Sequence, residues 1–221
     1  MSHRLSIEVF FDFICPWCLI GKRQLDFALE RLRSEQPEVE VTLNWRGSQL
    51  LTHIPAQGEP FAEFYLQRLG SAEAVRMRQA QVQQAAAAVG VAIDLANIKR
   101  MPNTADAHRL LEHATALGNA AQRDALLERL YSAYFERGED LGCVETLLAI
   151  AQSCGFDRAT MVDCLYGDGS PYLATGTPVI KSVPYFRFNQ LLTISGAQPA
   201  AVLFEAMCEA LLLDEQERQP S

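Results

Sequence analysis

The sequence predicts an α/β fold in which a sheet built from the two ends of the chain is interrupted by a long helical insertion. Three observations carry this. A strand, an amphipathic helix and a second strand can be read in the first 45 residues. Strand patterning returns only after Pro184. Between about residue 55 and residue 175 the chain shows helical periodicity punctuated by helix-end signals.

Residues 5–13 (LSIEVFFDF) are rich in β-branched and aromatic types and read as a buried strand. The run LIGKRQLDFALERLRSEQ places Leu25, Leu29 and Leu32 on one helical face, and Pro37 stops it. Residues 38–45 (EVEVTLNW) alternate as Val39, Val41, Leu43 and Trp45, the period of a half-buried strand. Helices are expected over 60–69, closed by Gly70, and over 72–89, capped by Ser71 and closed by Gly90. Further helices are expected over 104–117, 120–136, 143–154 and 157–166. PYFRFN and LLTIS flank Asn189-Gln190 as a hairpin, and a last helix over about 199–213 carries Pro199 in its first turn, leaving DEQERQPS frayed. The sheet-forming domain is thus expected at 1–54 with 176–221, and an all-helical insertion domain at 55–175.

At 221 residues, 49% hydrophobic and 21% charged, the composition is that of a globular protein. The net charge of −8 argues against nucleic acid or an anionic membrane as partner. Glu8 and Asp12 break the apolar residues near the start, so no signal peptide is expected, and no run approaches the roughly 18 apolar residues of a membrane span. A cytoplasmic location follows as an expectation. In that compartment six cysteines read as one working pair and several inert thiols.

The working pair is Cys15-Pro16-Trp17-Cys18, at a strand-to-helix junction. With the helix starting at Pro16, Cys15 stands at its N-cap, where the unpaired amides of Trp17 and Cys18 and the helix dipole favour a thiolate. Lys22 and Arg23 are expected to help, and Asp12 to oppose. Cys18, three residues on, lies on the same face and can resolve a mixed disulfide on Cys15. The competing reading is half of a zinc site or two buried thiols. Zinc would need two further ligands, and there is no second C-x-x-C. His108 and His113, five apart on one helix, point in different directions.

The run FFDFICPWCLIGKRQLDFAL resembles the active-site segment of DsbA-type thiol–disulfide oxidoreductases, specifically the cytoplasmic FrnE-like branch. MPNTADAHRLLEHA (101–114), AYFERGEDL (133–141), SVPYFRFNQ (182–190) and ISGAQP (194–199) continue the resemblance in order. It implies a thioredoxin-like fold with a helical insertion and catalysis by Cys15 and Cys18. It also implies a cis-proline loop at Val183-Pro184 facing the cysteines, where the backbone of Val183 pairs with substrate. Pro16, Trp17, Asn103 and His108 are the further candidates for substrate contact. Two departures stand out. VIKS (179–182) replaces the usual glycines before Val-Pro, after a weakly helical ATGTPV, and Val9 occupies the position where many such proteins bury an acid. Glu8 or Asp12 could replace that acid only from other directions.

Cys143, Cys154, Cys164 and Cys208 are expected to be inert core thiols, with Cys154–Cys164 as a conceivable second redox pair. Asn103 is also placed to cap its helix, and His108 and His113 to be surface or half-buried structural histidines. The amides of Ser195–Gln198 could hold a carboxylate or simply make a turn. Three functions remain open: a dithiol oxidoreductase acting on protein or small-molecule disulfides, a glutathione-dependent enzyme akin to 2-hydroxychromene-2-carboxylate isomerase and kappa-class glutathione transferases, and a non-enzymatic module. No cofactor beyond the cysteine pair and no metal is expected; glutathione is the candidate co-substrate.

Overall fold

The structure, a computed structural model of the chain, describes residues 3–174, 180 and 182–218. In chain order the elements are β1 (Arg4–Phe11), α1 (Pro16–Glu35), β2 (Glu40–Gly47), β3 (Glu59–Pro60), α2 (Phe61–Leu69), α3 (Ala72–Ala87) and β4 (Arg100–Met101). There follow α4 (Ala105–Leu117), α5 (Ala120–Phe135), α6 (Val144–Ser153), α7 (Arg158–Met161), a 3-10 turn (Val162–Cys164), β5 (Tyr185–Phe188), β6 (Leu192–Ser195) and α8 (Ala200–Arg218). These form two compact units: Met1–Phe11 with Trp17–Ser48 and Ala174–Ser221, and Asp12–Pro16 with Gln49–Leu173. The mixed α/β class read from the sequence is the class observed. The ATGTPV and VIKS segments fall largely on 175–179 and 181, outside the described residues.

In the first unit the strand order is β2-β1-β5-β6, with β1 parallel to β2 and antiparallel to β5. The period-2 pattern of β1 sends Leu5, Ile7 and Val9 into a core with Leu25, Leu29 and Leu32 of α1, Phe186 and Phe188 of β5, and Leu203, Met207 and Leu211 of α8. On the strand's other face Glu8 is bonded by Arg187 across the strand pair at 2.7 Å and by Arg46 at 3.3 Å. The hairpin turns at Asn189 and Gln190, both with positive φ (46° and 62°), a conformation Asn tolerates well. Asn189 also extends the pairing, accepting from Ser6 N–H at 2.7 Å. The last helix continues to Arg218, so the expected frayed tail is helical through its charged part.

The second unit is not purely helical. β3 and β4 pair antiparallel at Glu59↔Met101 and Pro60↔Arg100, a ladder too short to leave a strand period in the sequence. The start of α4 organises the loops around it. The Asn103 side chain accepts from Ala105 N–H and Gln49 Nε2 and donates to the carbonyls of Ile54 and Gly169. Asp106 accepts from the amides of Tyr166 (3.0 Å) and Gly167 (2.7 Å) and from Arg109 (2.7 Å). Arg109 in turn donates to the carbonyls of Ser170 and Pro171. The helix expected over 157–166 is α only to Met161 and tightens into a 3-10 turn over Val162–Cys164, after which the amides of Tyr166 and Gly167 bond Asp106. No helix among the described residues is long and apolar enough to cross a membrane.

Asp106→Ala would leave two amides and a guanidinium without their buried acceptor. The expected cost is about 3 kcal/mol of unfolding free energy. Urea denaturation measures it, and a loss below about 1 kcal/mol would contradict the assigned role.

Candidate active site

α1 begins at Pro16, which suits the first helical position because its missing N–H has no helical partner there. Cys15 therefore immediately precedes the helix, and its own N–H donates to the carbonyl of Asp12 at 3.2 Å, closing the tight turn that leads out of β1. Cys15 is 8% exposed and Cys18 2%. Pro16 and Trp17 between them are half-buried. The two sulfurs thus differ in access, Cys15 being the slightly more exposed.

Lys22 and Arg23 both turn down the helix to Asp26, Lys22 Nζ at 2.9 Å and Arg23 Nη1 at 3.3 Å. Lys22 also lies over the Trp45 ring. Both cations are thus paired with Asp26 one turn down the helix.

Val183-Pro184 is a cis peptide. The Pro184 ring packs on Gly21, where a Cβ would come within 3.0 Å of Pro184 Cγ and 3.2 Å of Phe186 Cζ. Gly21 lies three residues after Cys18 on the same helical face, so only glycine lets the proline loop approach that face so closely. Pro184 O accepts from Gly196 N–H at 2.8 Å, and Gln198 N–H donates to Gly196 O at 3.0 Å. Two of the amides considered as a carboxylate site in Ser195–Gln198 are thus engaged inside the protein.

Asp12 is fully buried. Its Oδ2 accepts from Leu50 N–H at 2.7 Å and its Oδ1 lies 3.1 Å from His108 Nε2. The His108 ring is stacked on Tyr172 and tilted against Phe13. His108 is only 2% exposed, not the surface or half-buried residue expected. Asn103, 4% exposed, has both amide hydrogens and both acceptor positions used by the protein. Both residues are buried and bonded within the protein. Of the acids weighed at the sequence level, Glu8 is ion-paired on the sheet and Asp12 is the buried one.

Sequence reasoning missed Tyr65 of α2. Burial, and next the charge on Cys15, push its phenol above the ordinary range, while Arg68 and Arg78 act the other way. The phenol is therefore within electrostatic reach of the sulfur. Tyr134, in contact with Phe135 and wholly buried, is raised further by burial and by Tyr65 and Asp12. No periodicity marks these tyrosines; only the fold brings them together.

The remaining cysteines are not core thiols. Cys143 is exposed, and Cys154, Cys164 and Cys208 are half-buried. Cys143 precedes α6, and the amide and hydroxyl of Thr146 lower its pKa, although no side-chain cap bond of standard geometry closes. Cys164 donates to Met161 O, and burial and Asp106 push it up to about 11. At neutral pH about one such thiol in ten thousand is ionised, which argues against a Cys154–Cys164 redox pair. Among the described residues no group of three or more His, Cys, Asp or Glu is arranged to hold a metal.

Cys143 is the exposed cysteine outside the pair, and its pKa is lowered. With iodoacetamide at neutral pH it should alkylate before Cys154, Cys164 and Cys208. Cys164 labelling should rise about tenfold per pH unit between pH 8 and 10, because its thiolate is almost absent below its pKa. Peptide mapping over a pH series reads both; a Cys164 rate that levels off below pH 9 would contradict the assignment.

Several known proteins are similar to this chain. The chain aligns along 98% of its length with the crystal structure of a probable DsbA oxidoreductase from Streptomyces coelicolor, covering 92% of that chain with a TM-score of 0.80 and 26% identity. It is 24% identical over 161 residues to the Bacillus subtilis (strain 168) protein YwbO, 73% of this chain and 72% of that one. 2-Hydroxychromene-2-carboxylate isomerase (TM-score 0.61, 13% identity, 97% of this chain and 100% of that one) shares the fold. So does the Pseudomonas aeruginosa cytosolic disulfide reductase DsbM, solved with GSH (TM-score 0.52, 16% identity, 97% of this chain and 100% of that one). The family profile of the DSBA-like thioredoxin domain matches residues 6–168, and the chain belongs to that family.

Proposed function

We propose that this protein is a thiol–disulfide oxidoreductase in which Cys15 attacks and Cys18 resolves. The observation that carries the reading is the placement of the two sulfurs at the start of α1, the first slightly accessible and the second sealed. Membership of the DSBA-like family supports it.

The chemistry follows from the placement. The Cys15 thiolate attacks one sulfur of a substrate disulfide, forming a Cys15–substrate disulfide and expelling the other sulfur as a thiolate. Cys18 then loses its proton and attacks the Cys15 sulfur, releasing the second substrate thiolate and leaving a Cys15–Cys18 disulfide. Two electrons pass from the protein to the substrate; run backwards, the same steps oxidise a dithiol. Val183-Pro184 and Trp17 are the proposed substrate contacts, the first through the backbone of Val183 and the second through its half-buried indole. Glutathione is the proposed small thiol partner, an assignment consistent with a structural neighbour solved with GSH. The proposal places the protein in the cytoplasm, in the FrnE-like branch, and needs no cofactor beyond the cysteine pair.

Cys15→Ser should abolish disulfide reduction. Cys18→Ser should accumulate a mixed disulfide on Cys15 when offered glutathione disulfide, seen by intact-mass spectrometry. A Cys18→Ser variant that turns over at the parent rate without any trapped adduct would favour the glutathione-dependent isomerase reading, which has no use for a resolving cysteine.

A further inference from the structure

We infer that His108 and Asp12 form a positioning pair that fixes the attitude of Cys15, so that the rate of attack by Cys15 depends on a hydrogen bond made on the opposite side of the Asp12–Cys15 turn. The inference rests on Cys15 being the attacking thiol, as proposed above.

Asp12 is joined to Cys15 by two routes. Along the chain they are three residues apart, and across the turn the Cys15 N–H donates to the Asp12 carbonyl at 3.2 Å. The direction of that carbonyl is fixed by where the Asp12 side chain is held. The side chain has no solvent to fall back on, being fully buried, and its two oxygens are engaged by Leu50 N–H at 2.7 Å and by His108 Nε2 at 3.1 Å. His108 is itself immobilised. It sits in α4, its N–H bonded to Thr104 O, and its ring is confined between Phe13 (centroid distance 4.9 Å) and Tyr172 (5.2 Å). The pieces close a ring: Cys15 to Asp12, Asp12 to His108, His108 to Phe13, and Phe13 back along the chain to Cys15.

A buried carboxylate is retained at a cost, because an apolar residue of similar size would pack there without desolvation. Packing alone would be met by such a residue. What the Asp–His bond adds is direction: it admits one orientation of the turn, and with it one orientation of the sulfur relative to the first amides of α1. A sulfur displaced from that orientation loses its approach geometry. His108 and Asp12 themselves, being buried, touch no substrate.

The test uses the full chain carrying Cys143→Ser, which removes the accessible competitor, and measures the second-order rate of Cys15 with glutathione disulfide. His108→Gln keeps an N–H at the position of Nε2 and should react within threefold of the parent. His108→Phe keeps the aromatic stack and removes the donor, and should be slowed at least tenfold while its circular dichroism stays that of the parent. Should His108→Phe fail to fold, the double variant Asp12→Asn/His108→Phe removes the stranded charge with the bond and should show the same slowing. A bond-free variant reacting within twofold of the parent overturns the inference. So does His108→Gln as slow as His108→Phe, since ring packing would then be what matters. Cys15→Ser in the same assay separates the two readings: if it still reacts with glutathione disulfide at the parent rate, the proposed function has failed and not the positioning pair.

Discussion

The turn that carries Cys15 is anchored by a buried acid, Asp12. Between the end of β1 at Phe11 and the start of α1 at Pro16 the chain must reverse out of a strand and begin a helix with Cys15 at its cap. Asp12 makes that turn, with its side chain out of water and both oxygens bonded within the second unit. The residues that receive it come from one short stretch at the head of α4. Asn103, Asp106 and Arg109 fasten the loops at 49–54 and 166–171, and His108 holds the cysteine turn. A polar cluster of this kind specifies geometry more than it adds stability: each group is satisfied in one arrangement and costly in any other.

How much of this was legible in the sequence depends on the range of the cause. Strand period in LSIEVFFDF, helix period through Leu25, Leu29 and Leu32, and the hairpin at Asn189-Gln190 are local, and the structure has them where the pattern puts them. Local rules failed where a long-range bond overrides them. The helix expected over 157–166 gives way after Met161 to a 3-10 turn, and the amides of Tyr166 and Gly167 just beyond it are bonded by Asp106, some 60 residues earlier. The β3–β4 ladder has too few residues to show a period. At the site, CPWC on a strand-to-helix junction was readable because the chemistry is carried by adjacent residues. His108 and Asn103 were recognisable as special from NTADAHR, but what they touch was not. Their partners Asp12 and Gln49 lie far from them in sequence and gave no periodic signal. Tyr65 and Tyr134 were invisible for the same reason.

The cysteines illustrate how position separates one residue type into different chemistries. Cys15 immediately precedes α1 and is 8% exposed; Cys18 lies in its first turn and is 2% exposed. Cys143 also stands at a helix start but in the open, with Thr146 beside it. Cys164 donates a hydrogen bond to a backbone carbonyl, and burial and Asp106 push its pKa up to about 11. The expectation that all four are core residues, read from their apolar neighbours, missed that Cys143 and Cys154 stand at the two ends of α6 and that Cys164 ends a 3-10 turn, while Cys208 lies on a half-buried face in the middle of α8.

The most direct measurement is a redox titration of the intact protein in glutathione buffers, with the remaining thiols alkylated at each step and the disulfide located by peptide mapping. One two-electron transition is expected, its oxidised form carrying a single bond between Cys15 and Cys18, with the other four cysteines reduced throughout. A transition that joins any other pair, or a chain that stays fully reduced across the whole range while Cys15 remains available to alkylation, would contradict the account.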